Sequence, residues 1–231
     1  MTNIAIVTGG SKGFGKAVAA ALVERTWAVL TDGRDADVLE DAARATGAIG
    51  VAGDVNDEEH RRRLVDEAAR RGPLRLLVNN ASTIGETPLP ALARYPLDAL
   101  RRVLETNVVA PLALAQLALP HLRVHGGAIV NLTSDAAVDG YEGWGGYGAS
   151  KAALEQWSRV LAAEEPDVAV WWVDPGDMRT EMHQAAYPGE DISDRPLPEA
   201  VAPGILRLLE RPPPSGRIEL RAVVAARGTA S

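Results

Sequence analysis

The feature that most constrains this chain is a rhythm: short apolar runs alternate with longer stretches of helical periodicity along its length. "NIAIVT", "WAVLT", "AIGVAGDV", "LRLLVNNAS", "AIVNLTS", "VAVWWVDPG" and "RIELRAV" read as seven strands. Most are apolar at consecutive positions and rich in β-branched residues, as strands covered on both faces must be. "FGKAVAAALVER", "ADVLEDAARAT", "DEEHRRRLVDEAARR", the stretch from Leu97 to Leu122, "YGASKAALEQWSRVLAAEE" and "EAVAPGILRLLER" read as the intervening helices. This order predicts an α/β fold, a doubly wound parallel sheet of about seven strands with helices on both faces. The 231 residues are 46% apolar and no Gly/Ser or Pro linker divides them, which suits a single domain over 1–231.

The same inventory narrows the function. There is no cysteine, so disulfides and thiolate metal sites are excluded and a cytoplasmic location is expected. His183 has no histidine near it in sequence, and no metal site is expected. The net charge of -7 disfavours a nucleic-acid partner. The basic run "HRRRL", His60 to Leu64, sits among acidic residues and reads as a solvated helix face. No apolar run approaches the length expected to span a bilayer, and "MTNIAIVTGG" has no basic leader, so no membrane partner is expected.

Ligands of an open parallel sheet bind beyond the carboxyl ends of its strands, so the residues just after each strand carry the most information. After the first strand comes "TGGSKGFG", Thr8 to Gly15. Gly9, Gly13 and Gly15 let the backbone turn sharply and approach a diphosphate, where the helix N-terminus offers free amides and a positive dipole end. A glycine-rich turn without a ligand is the plainer alternative, but the position between first strand and first helix favours a dinucleotide.

"YGASK" places Tyr147 and Lys151 four residues apart, on one helix face. Free tyrosine titrates near ~10, too high for efficient proton exchange at neutral pH. A neighbouring ammonium favours the phenolate and is expected to lower that value.

On these motifs the chain resembles the short-chain dehydrogenase/reductase family over nearly its whole length. The resemblance implies a Rossmann-type fold, hydride transfer and a nicotinamide cofactor. It assigns Gly9, Ser11, Lys12, Gly13, Phe14 and Gly15 to the cofactor loop, and Asn80 to "NNAS", where serine replaces the family's glycine. Asp54 and Val55 match the pair that contacts adenine; a helix cap is the competing role for Asp54. Pro175, Gly176 and Thr180 match the turn and threonine after the sixth strand. Ser134, thirteen residues before Tyr147, matches the catalytic serine.

The resemblance also explains a proline in the long central helix. Pro111 has no N–H, so the carbonyl of Asn107 loses its partner. In the family that asparagine's carbonyl holds a water linking the catalytic lysine to solvent, so Asn107 joins Ser134, Tyr147 and Lys151 as a catalytic candidate. A plain packing kink is the alternative. Ser134 would hold the substrate oxygen, Tyr147 would exchange its proton, and Lys151 would acidify the phenol and bind the nicotinamide ribose.

The second strand ends "VLTDGRD". Arg34 there, with Lys12, favours NADP(H); Asp32 would instead select NAD(H) if the register were one residue different. The stretch from about 177 to 198 is expected to be a mobile lid, with Trp144, Met182 and Tyr187 as candidate substrate residues and Tyr141 beside Trp144 on the opposite wall. The expected partner is a small carbonyl or alcohol substrate, making the chain a ketoreductase or alcohol dehydrogenase. An epimerase or dehydratase on the same fold, or a non-catalytic dinucleotide sensor, are the alternatives. Helices rich in Ala and Leu on more than one face suggest a homodimer or homotetramer.

Overall fold

The computed structural model describes residues 2–221. Its strands are β1 (Ile4–Val7), β2 (Ala28–Gly33), β3 (Ile49–Ala52), β4 (Leu74–Asn79), β5 (Ala128–Leu132), β6 (Ala169–Asp174) and β7 (Gly216–Glu219). They form one sheet in the order β3-β2-β1-β4-β5-β6-β7, each neighbouring pair parallel. The strand order reverses between β1 and β4, and a crevice opens there beyond the strand ends. "RIELRAV" is shorter than expected as a strand: Leu220 and Arg221 are already helical, and Ala222 and Val223 lie outside the described residues.

The helices are α1 (Gly13–Glu24), α2 (Ala36–Thr46), α3 (Glu58–Arg71), α4 (Leu97–Leu104), α5 (Ala110–His125), α6 (Gly145–Glu164), α7 (Glu181–Ala186), α8 (Pro198–Val201) and α9 (Pro203–Glu210). Local chemistry sets their ends. The Asp35 carboxylate accepts the Asp37 and Val38 amides to start α2, and Gly47, at φ 77°, closes it. Asp57 caps α3. Pro203 divides the expected last helix into α8 and α9.

The sheet is apolar on both sides. Ala5 and Val7 of β1, Val130 of β5 and Trp171 of β6 face α1 and α9 on one side. Ile4 and Ile6, Ile129 and Val170 face α3 and α5 on the other. Fully burying a side chain of this size contributes about 1.5–3 kcal/mol, which is why alternation along each strand fixes its register.

Three expectations are refined here. The long central helix carries its interruption at Asn107, as the proline implies: α4 runs into a π turn over Glu105–Val109, where the Ala110 N–H reaches the Glu105 carbonyl, and α5 follows. Pro111, in the first turn of α5, cannot serve the Asn107 carbonyl, and the extra residue of the π turn absorbs the broken ladder. Second, Leu97–His125 is in fact long and apolar enough to cross a membrane by length and composition, although 44% of its qualifying 18-residue stretch is buried in this fold. Leu114, Ala115, Ala118 and Leu122 are core residues on the α3 side of the sheet. Third, "HRRRL" is not wholly solvated. His60 and Arg61 are buried, and Arg61 donates to the Val55 carbonyl at 2.6 Å.

Candidate active site

The glycine loop crosses the end of β1. Gly9 and Gly13 have φ of 67° and 57°, values that side chains disfavour. The Asn80 side chain donates to the Thr8 and Gly9 carbonyls at 2.8 and 3.2 Å, and the Thr8 hydroxyl accepts the Asn80 and Ala81 amides, each at 3.0 Å. The loop is thereby pinned to β4. Lys12, the residue just before α1, gives the helix no side-chain cap, and its first turn has no acidic residue. Uncapped amides at the positive end of a helix suit an anionic diphosphate, so the residues present fit a dinucleotide.

A cavity of about 700 Å³ extends from this loop along the switch-point crevice. Gly9, Ser11, Lys12, Gly13 and Phe14 line one end, with Arg34, Asp54 and Val55 beside them; Asn80, Pro175, Gly176 and Thr180 follow. Ser134, Tyr147 and Lys151 line the other end. Gly15 does not face the cavity. A Cβ there would come within 2.4 Å of the Asn80 amide nitrogen and 2.6 Å of the Gly9 carbonyl, so this glycine serves close packing of α1. Asp54 is not the cap of α3; its carboxylate accepts the Asn56 amide at 2.9 Å, leaving Asp57 to cap.

Tyr147 and Lys151 lie on the first two turns of α6, both buried. Lys151 Nζ donates to the Leu132 carbonyl at 2.7 Å and sits 5.4 Å from the Tyr147 ring centroid. Burial pushes Lys151 down to about 7. Burial, then the Asp174 and Asp135 carboxylates, push the Tyr147 phenol up, while the hydroxyls of Ser134 and Ser82 pull it the other way. The expected acidification of Tyr147 by Lys151 is therefore not what this geometry produces. Desolvation outweighs the ammonium, whose charge is itself disfavoured.

That burial makes stability depend on pH. An unfolded lysine holds its proton to near ~10.4, whereas folded Lys151 gives it up near about 7. Between these values the unfolded chain binds more protons, so stability should rise with pH by at most about 1.4 kcal/mol per unit. Lys151→Met should flatten that rise. Urea unfolding at about pH 7.5 and about pH 9 checks it, and equal slopes for variant and wild type would contradict it.

Asn107 lies behind the cavity wall and is 1% exposed. Its amide nitrogen donates to the Thr83 carbonyl at 2.8 Å and the Ser150 hydroxyl at 2.9 Å. Its amide oxygen accepts the Thr83 N–H at 2.9 Å and the Ser82 hydroxyl at 3.1 Å. The π turn thus ties the segment after β4 to the helix carrying Tyr147.

A family model described as short chain dehydrogenase matches residues 3–191. The chain belongs to the short-chain dehydrogenase family. It is 32% identical to carbonyl reductase family member 4 of Danio rerio, over 95% of this chain and 96% of that protein. It is also 32% identical to serine 3-dehydrogenase of Rhizobium radiobacter, over 88% of this chain and 83% of that one. A short chain dehydrogenase of Shigella flexneri, solved with NADP, superposes with a TM-score of 0.86 at 27% identity, covering 95% and 97% of the two chains.

The substrate end of this dehydrogenase differs in detail from expectation. Trp144 and Met182 line the cavity, and the Trp144 ring stands edge-on to Tyr147 at 5.5 Å between centroids. Tyr187 does not line it. It packs behind, 6.1 Å from Trp144 and 4.9 Å from His183. Tyr141 is also off the wall, because its hydroxyl turns to the Asp135 carboxylate at 3.1 Å. The segment from 177 to 198 is not an unstructured loop: it contains α7, and Gln184 donates to the Tyr187 and Glu190 carbonyls at 2.8 and 3.0 Å. Lys12 is bonded to Glu181 of α7, so the glycine loop and this segment are joined by an ion pair.

Several residues of the site escape sequence reasoning. Ser82 stands where the family has glycine; its hydroxyl donates to the Asn107 amide oxygen at 3.1 Å and helps pull the Tyr147 phenol down. Asn79 donates to the Asn131 amide oxygen at 2.8 Å, and Asn131 donates to the Ser158 hydroxyl at 2.8 Å, a buried ladder under the site. Arg217 of β7 bonds Glu155 at 3.1 Å and Asp174 at 2.9 Å. The serine-for-glycine change was visible in the motif; the other contacts link residues too far apart in sequence to pair by inspection.

Proposed function

We propose that this short-chain dehydrogenase is an NADP(H)-dependent reductase of a small carbonyl compound, acting in reverse as a secondary-alcohol dehydrogenase. The observation that carries the reading is convergence: Ser134, Tyr147 and Lys151 share one cavity with an uncapped, glycine-lined helix start. When bound, the reduced cofactor supplies the hydride that the carbonyl carbon accepts. The glycine loop would hold its diphosphate, and Pro175, Gly176 and Thr180 its nicotinamide end.

The chain's own residues handle the proton. A phenol pushed above its ordinary value stays protonated at neutral pH, so Tyr147 is poised to donate to the substrate oxygen. Lys151, one turn along, would stabilise the phenolate left behind. The Ser134 hydroxyl now donates to Asp135 at 2.8 Å. It has a single proton, so it must turn from Asp135 to hold the substrate oxygen, leaving that carboxylate with the Ala136 amide and the Tyr141 hydroxyl. We assign to the Asn107 carbonyl the water-mediated path that returns a proton through Lys151.

NADP(H) is preferred over NAD(H) on charge. Arg34 is exposed at the cavity rim. Asp32, the residue that would favour NAD(H), borders the cavity, but its side chain is turned inward, 1% exposed, and accepts the Gly9 amide at 2.7 Å beside His60, which argues against its meeting a ribose. Structural neighbours from Shigella flexneri and Escherichia coli were solved with NADP and NADPH.

We further place one cytoplasmic domain in a homodimer or homotetramer, with 177–198 as its lid. Exposed Leu97, Val109, Val124 and Val160 on α4, the π turn, α5 and α6 support the assembly, and the absence of cysteine supports the compartment. The test is NADPH consumption against a panel of ketones and aldehydes. Turnover of at least one is expected; tight NADPH binding with every carbonyl inert would overturn the reading.

A further inference from the structure

One buried pair takes no part in the chemistry above. Asp32 of β2 and His60 of α3 are 28 positions apart in sequence, yet His60 Nε2 lies 3.1 Å from Asp32 Oδ2. Their side chains are each 1% exposed. The other carboxylate oxygen accepts the Gly9 amide at 2.7 Å, and the Asp32 main-chain carbonyl accepts the Gly10 amide at 3.1 Å. Two consecutive amides of the glycine loop are therefore fastened to Asp32.

The far side of the imidazole is also occupied. An Arg63 guanidinium nitrogen lies 3.0 Å from His60 Nδ1 and 2.8 Å from the Ala52 carbonyl. A guanidinium can only donate, so Nδ1 must accept and the single ring proton belongs on Nε2, facing the carboxylate. The donors are thus ordered: Arg63 to His60, His60 to Asp32, with Gly9 donating to the same carboxylate. The ring has a place only because residue 53 is glycine. A Cβ on Gly53 would stand 2.1 Å from Nδ1.

We infer that Asp32 and His60 are positioning residues for the dinucleotide loop, a buried clamp that fixes the Gly9 and Gly10 amides and sets the turn leading into α1. The inference rests on the dinucleotide reading above. It gives Asp32 a role opposite to ribose selection: its carboxylate is consumed inside the fold, holding the loop from below. Neither residue touches the reacting atoms, so both act through the loop.

The test compares wild type with His60→Leu, His60→Gln and Asp32→Asn, using Arg62→Ala, an exposed neighbour, as the control. NADPH and NADH binding are measured by fluorescence titration, and KM and kcat where a substrate is known. His60→Leu should weaken NADPH binding by about tenfold or more, the scale of one lost hydrogen bond to a charged group. Its KM for NADPH should rise in step, with a smaller fall in kcat. His60→Gln should recover most of the loss, because an amide can donate to Asp32 and accept from Arg63. Asp32→Asn should behave like His60→Leu, because its NH₂ must face one of two donors. Arg62→Ala should bind as wild type does.

Nitrogen-15 NMR of the ligand-free wild type should place the His60 proton on Nε2, a readout independent of any activity. A proton on Nδ1, or His60→Gln binding as weakly as His60→Leu, overturns the inference. So do His60→Leu and Asp32→Asn variants that bind NADPH as tightly as wild type. If His60→Leu does not fold, the tautomer and Asp32→Asn still decide the matter. A folded wild type that binds neither NADPH nor NADH overturns the proposed function and this clamp together.

Discussion

Tyr147→Phe is expected to lower kcat/KM for carbonyl reduction by about 10²- to 10⁴-fold, the usual contribution of a positioned general acid. The substitution removes one hydroxyl and keeps the ring. Its edge contact with Trp144 at 5.5 Å is retained, and α6 should fold unchanged. The phenol is buried and its neighbours Asp174 and Asp135 favour the neutral form, so the wild type holds this proton through neutral pH. Without it, the alkoxide that hydride arrival would form is left to weaker hydroxyl donors such as Ser134, with no phenol proton to take up. NADPH affinity should change little by comparison, because the phenol is only one wall of a long cavity. Steady-state rates and fluorescence titration together check both halves. A variant with unchanged turnover would remove Tyr147 from the chemistry.

Arg34→Glu is expected to raise the KM for NADPH by about ten- to a hundred-fold and to spare NADH. Arg34 follows β2, is exposed and lines the cavity. A guanidinium there can pair bidentately with a ribose phosphate, and a carboxylate in its place repels one. Asp32 cannot substitute for it in either direction, since its two carboxylate oxygens are taken by Gly9 and His60. The check is the ratio of kcat/KM for the two cofactors. A ratio that does not move toward NADH would show that the strand end does not choose the cofactor.

The central strands were legible because β1 and β5 are buried along their whole length and β6 nearly so, and such strands must be apolar on both faces, as in "NIAIVT" and "VAVWWVDPG". The caps at Asp35 and Asp57 and the stop at Gly47 obey local rules that need no tertiary information. The glycine loop and the Tyr147–Lys151 pair stand out by their place at a strand end and by the helical repeat, Ser134 stands out only through the family resemblance, and the fold brings all of them to one cavity. What was illegible depends on distant partners. Asp32 reads as a ribose ligand until His60, 28 positions on, is seen to hold it inside the fold. The same contact turns a run of basic residues from solvated surface into partly buried structure. Lys151 looks like a simple acidifier of Tyr147 until its burial and its bond to the Leu132 carbonyl are known. Tyr141 and Tyr187 are near the substrate end in sequence, but each stands behind the cavity wall, against the lining residues Asp135, Trp144 and His183.

The most direct measurement follows a label. NADPH carrying deuterium at the transferable position of the nicotinamide is mixed with the carbonyl panel, and the product alcohol is examined by mass spectrometry and NMR. Deuterium on the carbinol carbon is expected with wild type and should be lost to near background with Tyr147→Phe. An alcohol formed without the label, or equal label transfer by the variant, would contradict hydride transfer assisted by the Tyr147 proton.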